Sequence, residues 1–131
     1  MNKFKLGLAA IIIFLSSCTN AQNGTTANQN NTTVAFRLFP TQNMWTFIKL
    51  NTRNGQMWQV QFDVKGSDRF ESDLSLISLV NKENESNDRF ALYSTQNIYN
   101  FILLDQVDGR TWQVQWSMDV KNRAVVPIKQ Y

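Results

Sequence analysis

The chain has 131 residues, with 13 Lys and Arg against 10 Asp and Glu, no His and one Cys. That inventory excludes His/Cys metal sites, an internal disulfide, and the His-dependent nucleophile systems built on Ser or Cys. No basic stripe runs through it, so nucleic acid is not an expected partner, and neither a cofactor nor a metal is expected.

The first element is a leader. Lys3 and Lys5 precede an apolar run from Leu6 to Leu15. A membrane-spanning helix needs about 20 apolar residues, and this run is half that length, as in the h-region of a secretory signal peptide. Leu15-Ser16-Ser17-Cys18 resembles the lipobox of bacterial lipoproteins. The resemblance implies a signal peptide over 1–17 and a lipid-modified Cys18 as the first mature residue. Membrane attachment through acyl chains would then hold the protein to the cell envelope outside the cytoplasm. Removing the leader leaves 11 Lys and Arg against 10 Asp and Glu, so the mature chain is nearly neutral.

From Thr19 to Thr33 no residue is charged, aromatic or branched aliphatic. Such a stretch has too little apolar surface to offset its ordering entropy. The lipidated Cys18 and this polar run make a flexible tether over 18–33, followed by a domain over 34–131.

That domain is internally duplicated. Residues 36–62 and 90–116 align at an offset of 54, with 13 of 27 positions identical. Repeat one covers 34–80, a polar linker 81–88, and repeat two 89–131. Each repeat predicts short strands in series. The first is at 36–39 and 90–93, ended by Thr41-Gln42-Asn43 and Thr95-Gln96-Asn97, whose side chains suit a turn. The second is at 44–51 and 98–105. Asn54-Gly55 and Asp108-Gly109 then supply hairpin turns. Asp105 and Asp108 are turn residues in this reading, because copy two has no later ligand of a calcium loop and copy one carries Asn51 and Asn54.

The third strand alternates. Trp58, Val60, Phe62 and Val64 interleave with Gln59, Gln61 and Asp63, and Trp112, Val114, Trp116 and Met118 with Gln113, Gln115 and Ser117. Period two with one apolar face predicts a half-buried strand whose glutamines face water. A fourth strand is expected at 74–79 and 124–128, the latter an edge because of Pro127. The predicted fold is all-β: two four-stranded antiparallel meanders packed as a sandwich or flattened barrel with pseudo-twofold symmetry.

Two further resemblances follow. The segments 49–60 and 103–114 resemble the strand–turn–strand of quinoprotein-type β-propeller repeats. They depart from it by Asn54 or Asp108 before the glycine and an aromatic one position early. Two repeats do not close a propeller, so the quinone chemistry does not carry over. The whole duplicated unit resembles small secreted bacterial lipoproteins of unassigned function, which implies a fold and an address.

Function is approached by elimination. Catalysis would rest on carboxylates alone, and Asp63 and Asp119 show no pairing in sequence, so no enzyme is expected. The expected role is a non-catalytic binding or assembly module for a glycan, peptide or envelope protein. Its candidate ligand residues are Gln59, Gln61, Gln113, Gln115, Trp45 and Tyr99. Amides can pair with hydroxyls and the rings can stack, forming two pseudo-equivalent half-sites. The alternative is a structural or inhibitory lipoprotein that blocks a protein partner through loops or an edge strand.

Overall fold

The computed structural model describes residues 33–131. The leader, Cys18 and all of the expected tether except Thr33 lie outside the described residues. No helix among the described residues is long and apolar enough to cross a membrane.

Eight strands form two four-stranded antiparallel sheets. Sheet one is β1 (Phe36–Pro40), β2 (Thr46–Asn51), β3 (Met57–Gln61) and β4 (Phe70–Ser75). Sheet two is β5 (Phe90–Ser94), β6 (Asn100–Asp105), β7 (Thr111–Gln115) and β8 (Ala124–Pro127). Each is a simple meander, with strand order following the chain. The sheets pack as an open sandwich, and no ladder joins them into a barrel. β8 pairs only with β7, so Pro127 does lie on an edge.

The turns repeat bond for bond. Thr41 Oγ1 donates to the Thr46 carbonyl at 2.9 Å, and the Trp45 N–H donates to Asn43 Oδ1 at 3.0 Å. In copy two, Thr95 Oγ1 reaches the Asn100 carbonyl at 2.9 Å, and the Tyr99 N–H reaches Asn97 Oδ1 at 3.0 Å. Each hairpin closes with a glycine in the left-handed region, Gly55 at φ 81° and Gly109 at φ 78°. Non-glycine residues are strained there, which explains glycine in both copies.

The core is one cluster between the sheets. Sheet one supplies Ile48, Leu50, Met57 and Leu74, and sheet two supplies Phe90, Leu92, Phe101, Leu103, Trp112, Val114 and Trp116. Each fully buried side chain of this size stabilises the fold by about 1.5–3 kcal/mol relative to exposure.

The faces that meet are not equivalent. A twofold axis would bury the same positions in both copies. Instead Phe90, Leu92 and Trp116 are 1%, 5% and 3% exposed, while their equivalents Phe36, Leu38 and Phe62 are 53%, 59% and 41% exposed. Sheet two turns its Trp-Val-Trp face inward, and sheet one turns its opposite face inward. This corrects the expectation for copy one, where Gln59 is fully buried and Trp58 and Val60 are half-buried.

The fourth strand of copy one is also displaced. It runs over Phe70–Ser75, and residues 76–80 leave the sheet. Of their apolar side chains, Leu76 and Ile77 are exposed. Leu79 and Val80 pack against the core, and the Leu79 N–H caps the hairpin by donating to the Asn54 carbonyl at 2.8 Å.

Candidate functional site

Two clefts occupy equivalent places in the two copies, where the Thr-Gln-Asn turn meets the end of the third strand. One, of about 290 Å³, is lined by Trp45, Gln61, Phe62, Asp63 and Asp68. The other, of about 330 Å³, is lined by Asn97, Tyr99, Asn100, Gln115, Trp116, Ser117 and Asn122. At the offset of 54, every residue of the first has its counterpart in the second.

The local bonds explain how the aromatics are held. The Asn43 and Asn97 side chains fix the backbone of Trp45 and Tyr99, as above. The Phe62 N–H donates to the Trp45 carbonyl and the Trp116 N–H to the Tyr99 carbonyl, each at 3.0 Å. The ring pairs repeat too: Trp45 meets Phe62 edge-on at 5.3 Å, and Tyr99 meets Trp116 at 5.6 Å. Trp116 is fixed further by its indole N–H, which donates to the Ile98 carbonyl at 2.9 Å.

The expected site residues thus separate into two groups. Gln61 and Gln115 stand beside Trp45 and Tyr99 in the clefts. Gln115 Nε2 donates to the Asn122 carbonyl at 2.8 Å. Gln59 and Gln113 are not in the clefts. Gln59 is sealed between the sheets, with Nε2 at 3.3 Å from Met118 Sδ and Oε1 lacking a protein partner. Gln113 faces outward and donates to Asn100 Oδ1 at 2.9 Å. The two glutamine pairs are therefore not two equivalent half-sites.

A third cleft, of about 370 Å³, lies between the copies. Gln42 and Asn43 of the first turn face Ile98, Tyr99, Trp116 and Met118 of sheet two. It shares Tyr99 and Trp116 with its neighbour, so these rings border two concavities.

Sequence reasoning assigned Gln42 and Gln96, with their neighbours, to the turns. In both turns the Thr and Asn side chains bond the backbone, whereas the exposed glutamine makes no hydrogen bond among the described residues. A residue identical in both copies that the turn itself does not need was the available signal.

Asp63 and Asp68 are the charged residues of the clefts, and the ion pairs lie elsewhere. Asp105 is fully buried and is held by Arg89, Nη2 to Oδ2 at 2.8 Å. The Arg89 guanidinium is stabilised as a cation chiefly by hydrogen bonding to Asp105, against a partly desolvated setting. This pair fastens the linker to the β6–β7 turn at the far end of the sheet from the clefts.

Comparison of the chain with protein-family models, with curated proteins and with solved structures returned no match.

Proposed function

We propose that the domain is a non-catalytic binding module of the cell envelope, tethered through a lipid on Cys18, that takes a saccharide at its aromatic clefts. The observation that carries this reading is the duplicated cleft. Each copy sets an aromatic ring, Trp45 or Tyr99, beside an amide, Gln61 or Gln115, on a rigid turn–strand junction. Sugar rings present apolar C–H faces that stack on aromatic rings, and their hydroxyls pair with amides that both donate and accept.

The chemistry common to both copies is binding. Asp63 and Asp68 lie in the first cleft, but Ser117 and Asn122 take their places in the second. Serine and asparagine do not replace a carboxylate pair in acid–base catalysis. The first cleft is therefore expected to favour ligands with more hydroxyl or cationic donors, and the second neutral ones.

The test is a glycan array followed by calorimetry on the full chain carrying Cys18→Ser. Tyr99→Ala and Trp45→Ala should each weaken saccharide binding by roughly 10-fold or more, the scale of one lost stacking contact with its buried area. Gln113→Ala, outside the clefts, should leave affinity unchanged. Saccharide binding insensitive to both aromatic substitutions would overturn the site. Capture of peptides in place of glycans would overturn the ligand class.

A further inference from the structure

The two copies meet through unlike faces. Within the chain, the Ile48/Leu50 face of sheet one packs on the Leu92/Trp112 face of sheet two. Each sheet therefore leaves outside the very kind of face that its sister buries. Sheet one exposes Phe36, Leu38 and Phe62. Sheet two exposes Tyr93 and Val126, with Ile102, Leu104 and Gln113 on the same side by register. No strand position on that outer side of sheet two is charged. Strand faces and edges kept in water are normally guarded by charge, so an uncharged face with exposed apolar groups calls for a partner.

We propose that the partner of both faces is a second copy of this chain, stacked head to tail, and that the series closes into a ring. The internal interface is the template. Continued by one step, it lays the outer face of sheet one of one chain on the outer face of sheet two of the next. An interface between unlike faces yields a ring where the rotation closes and a filament where it does not. Rings of four-stranded sheets are stable at about four to eight sheets, which here means two to four chains.

Arg69 points the same way. Its equivalent, Arg123, donates from Nε to the Ser117 carbonyl at 2.9 Å and crosses from Nη1 to Ser72 Oγ at 3.0 Å and to the Asp73 carbonyl at 2.6 Å. It is a clamp between the sheets. Arg69 makes the same first bond, Nε to the Asp63 carbonyl at 3.0 Å, and no other among the described residues. The repeat offset aims its remaining donors at the Pro127 carbonyl on the outer strand of a neighbouring chain.

One feature makes the joint between chains weaker than the joint within one. Lys49 and Glu71 stand where copy two buries Leu103 and half-buries Val125. They pair with each other, Asp73 on the same face adds a further charge, and the desolvation of all three opposes stacking. The assembly is accordingly expected to dissociate more readily than the domain unfolds. This inference does not depend on the ligand proposed above.

Native mass spectrometry and light scattering on the full chain with Cys18→Ser provide the test. A single discrete species of two, three or four chains is expected. Leu38→Glu blocks one face and Tyr93→Glu the other, and both positions are solvent-exposed in the single chain, so the fold is expected to survive. Unchanged circular dichroism and hydrogen-exchange protection of the core strands would verify that. Each variant alone should fall to the mass of one chain. Mixed, the two should form a one-to-one pair through the two faces left intact, which only a head-to-tail joint allows. A monomeric unsubstituted chain, open-ended filaments, self-pairing of either variant, or failure of the mixture to pair would overturn the proposal.

Discussion

Asp88 adopts φ 60°, the single non-glycine residue with positive φ among those described. Aspartate tolerates that region better than most residues, and here hydrogen bonds from both its side chain and its backbone hold it. Its carboxylate accepts from Arg37 Nη2 at 2.8 Å and from the Val34 N–H at 3.2 Å, and its own N–H donates to Thr52 Oγ1 at 3.0 Å. The Arg37 hydrogen bond lowers its pKa, partial desolvation opposes this, and the Val34 N–H adds to the lowering. A carboxyl whose pKa is depressed on folding stabilises the native state above its unfolded value of about 3.9 and loses that contribution as pH falls through the lower folded value. Asp88→Asn keeps the backbone preference and removes the charge. Urea unfolding across pH should find the variant less stable at neutral pH, with the gap to the unsubstituted chain closing below about pH 4. A gap of constant size would mean that the carboxylate charge plays no part.

Among the elements, the two hairpins test how far the copies are interchangeable. A Cβ added at Gly55 would lie 2.7 Å from Leu79 Cδ1, whereas one at Gly109 meets nothing within 4 Å. Both positions need the left-handed region, which asparagine enters at modest cost. Gly109→Asn should therefore cost about 1 kcal/mol or less, the backbone term alone. Gly55→Asn must in addition displace Leu79 from the hairpin it covers, and should cost distinctly more. Thermal melts of both variants decide this, and equal losses would mean that Leu79 yields freely.

Much of this was legible in the sequence for a physical reason. The Thr-Gln-Asn and Asn/Asp-Gly turns act through bonds within a few residues, so local pattern suffices to place them. The alternation Trp112-Gln113-Val114-Gln115 correctly marks which face of β7 is buried. The identical alternation at Trp58-Gln59-Val60-Gln61 misleads, because the choice of face depends on which sheet lies alongside. Side-chain period two fixes that a strand has two faces and does not fix which one meets the partner. The fourth strand of copy one was misplaced because Leu76, Ile77 and Leu79 resemble strand residues locally. The offset of 54 from Ala124–Pro127 points to 70–73 and would have corrected it. Of the candidate site, the aromatic positions and one glutamine of each pair converge. Gln42 was read as part of the turn, although its Thr and Asn neighbours explain the turn without it.

At the scale of the whole molecule, the proposed address rests on one atom, the Cys18 thiol. Cells fed an alkyne analogue of palmitate should label the unsubstituted chain and not Cys18→Ser, and the variant should move from the membrane fraction to the soluble envelope fraction. Label retained on the variant, or membrane retention without label, would rule out that anchor.

The unlike faces of the two sheets bear on valency as well as on assembly. Rotation about a single axis keeps every copy of a given residue at one height. In the proposed ring, Val34, near the start of the described residues, would recur on one side only, and every proposed tether would leave toward the same membrane. Several chains carrying the proposed acyl groups would then act as one anchor, and the release of any one would be followed by rapid rebinding at high effective concentration. The same geometry would complete, between chains, the cleft that Gln42 forms with Tyr99 inside one chain, with Gln96 of one copy facing Trp45 of the next. Two copies per chain would thus become a closed circle of sugar-facing clefts, where weak single contacts combine into durable adhesion.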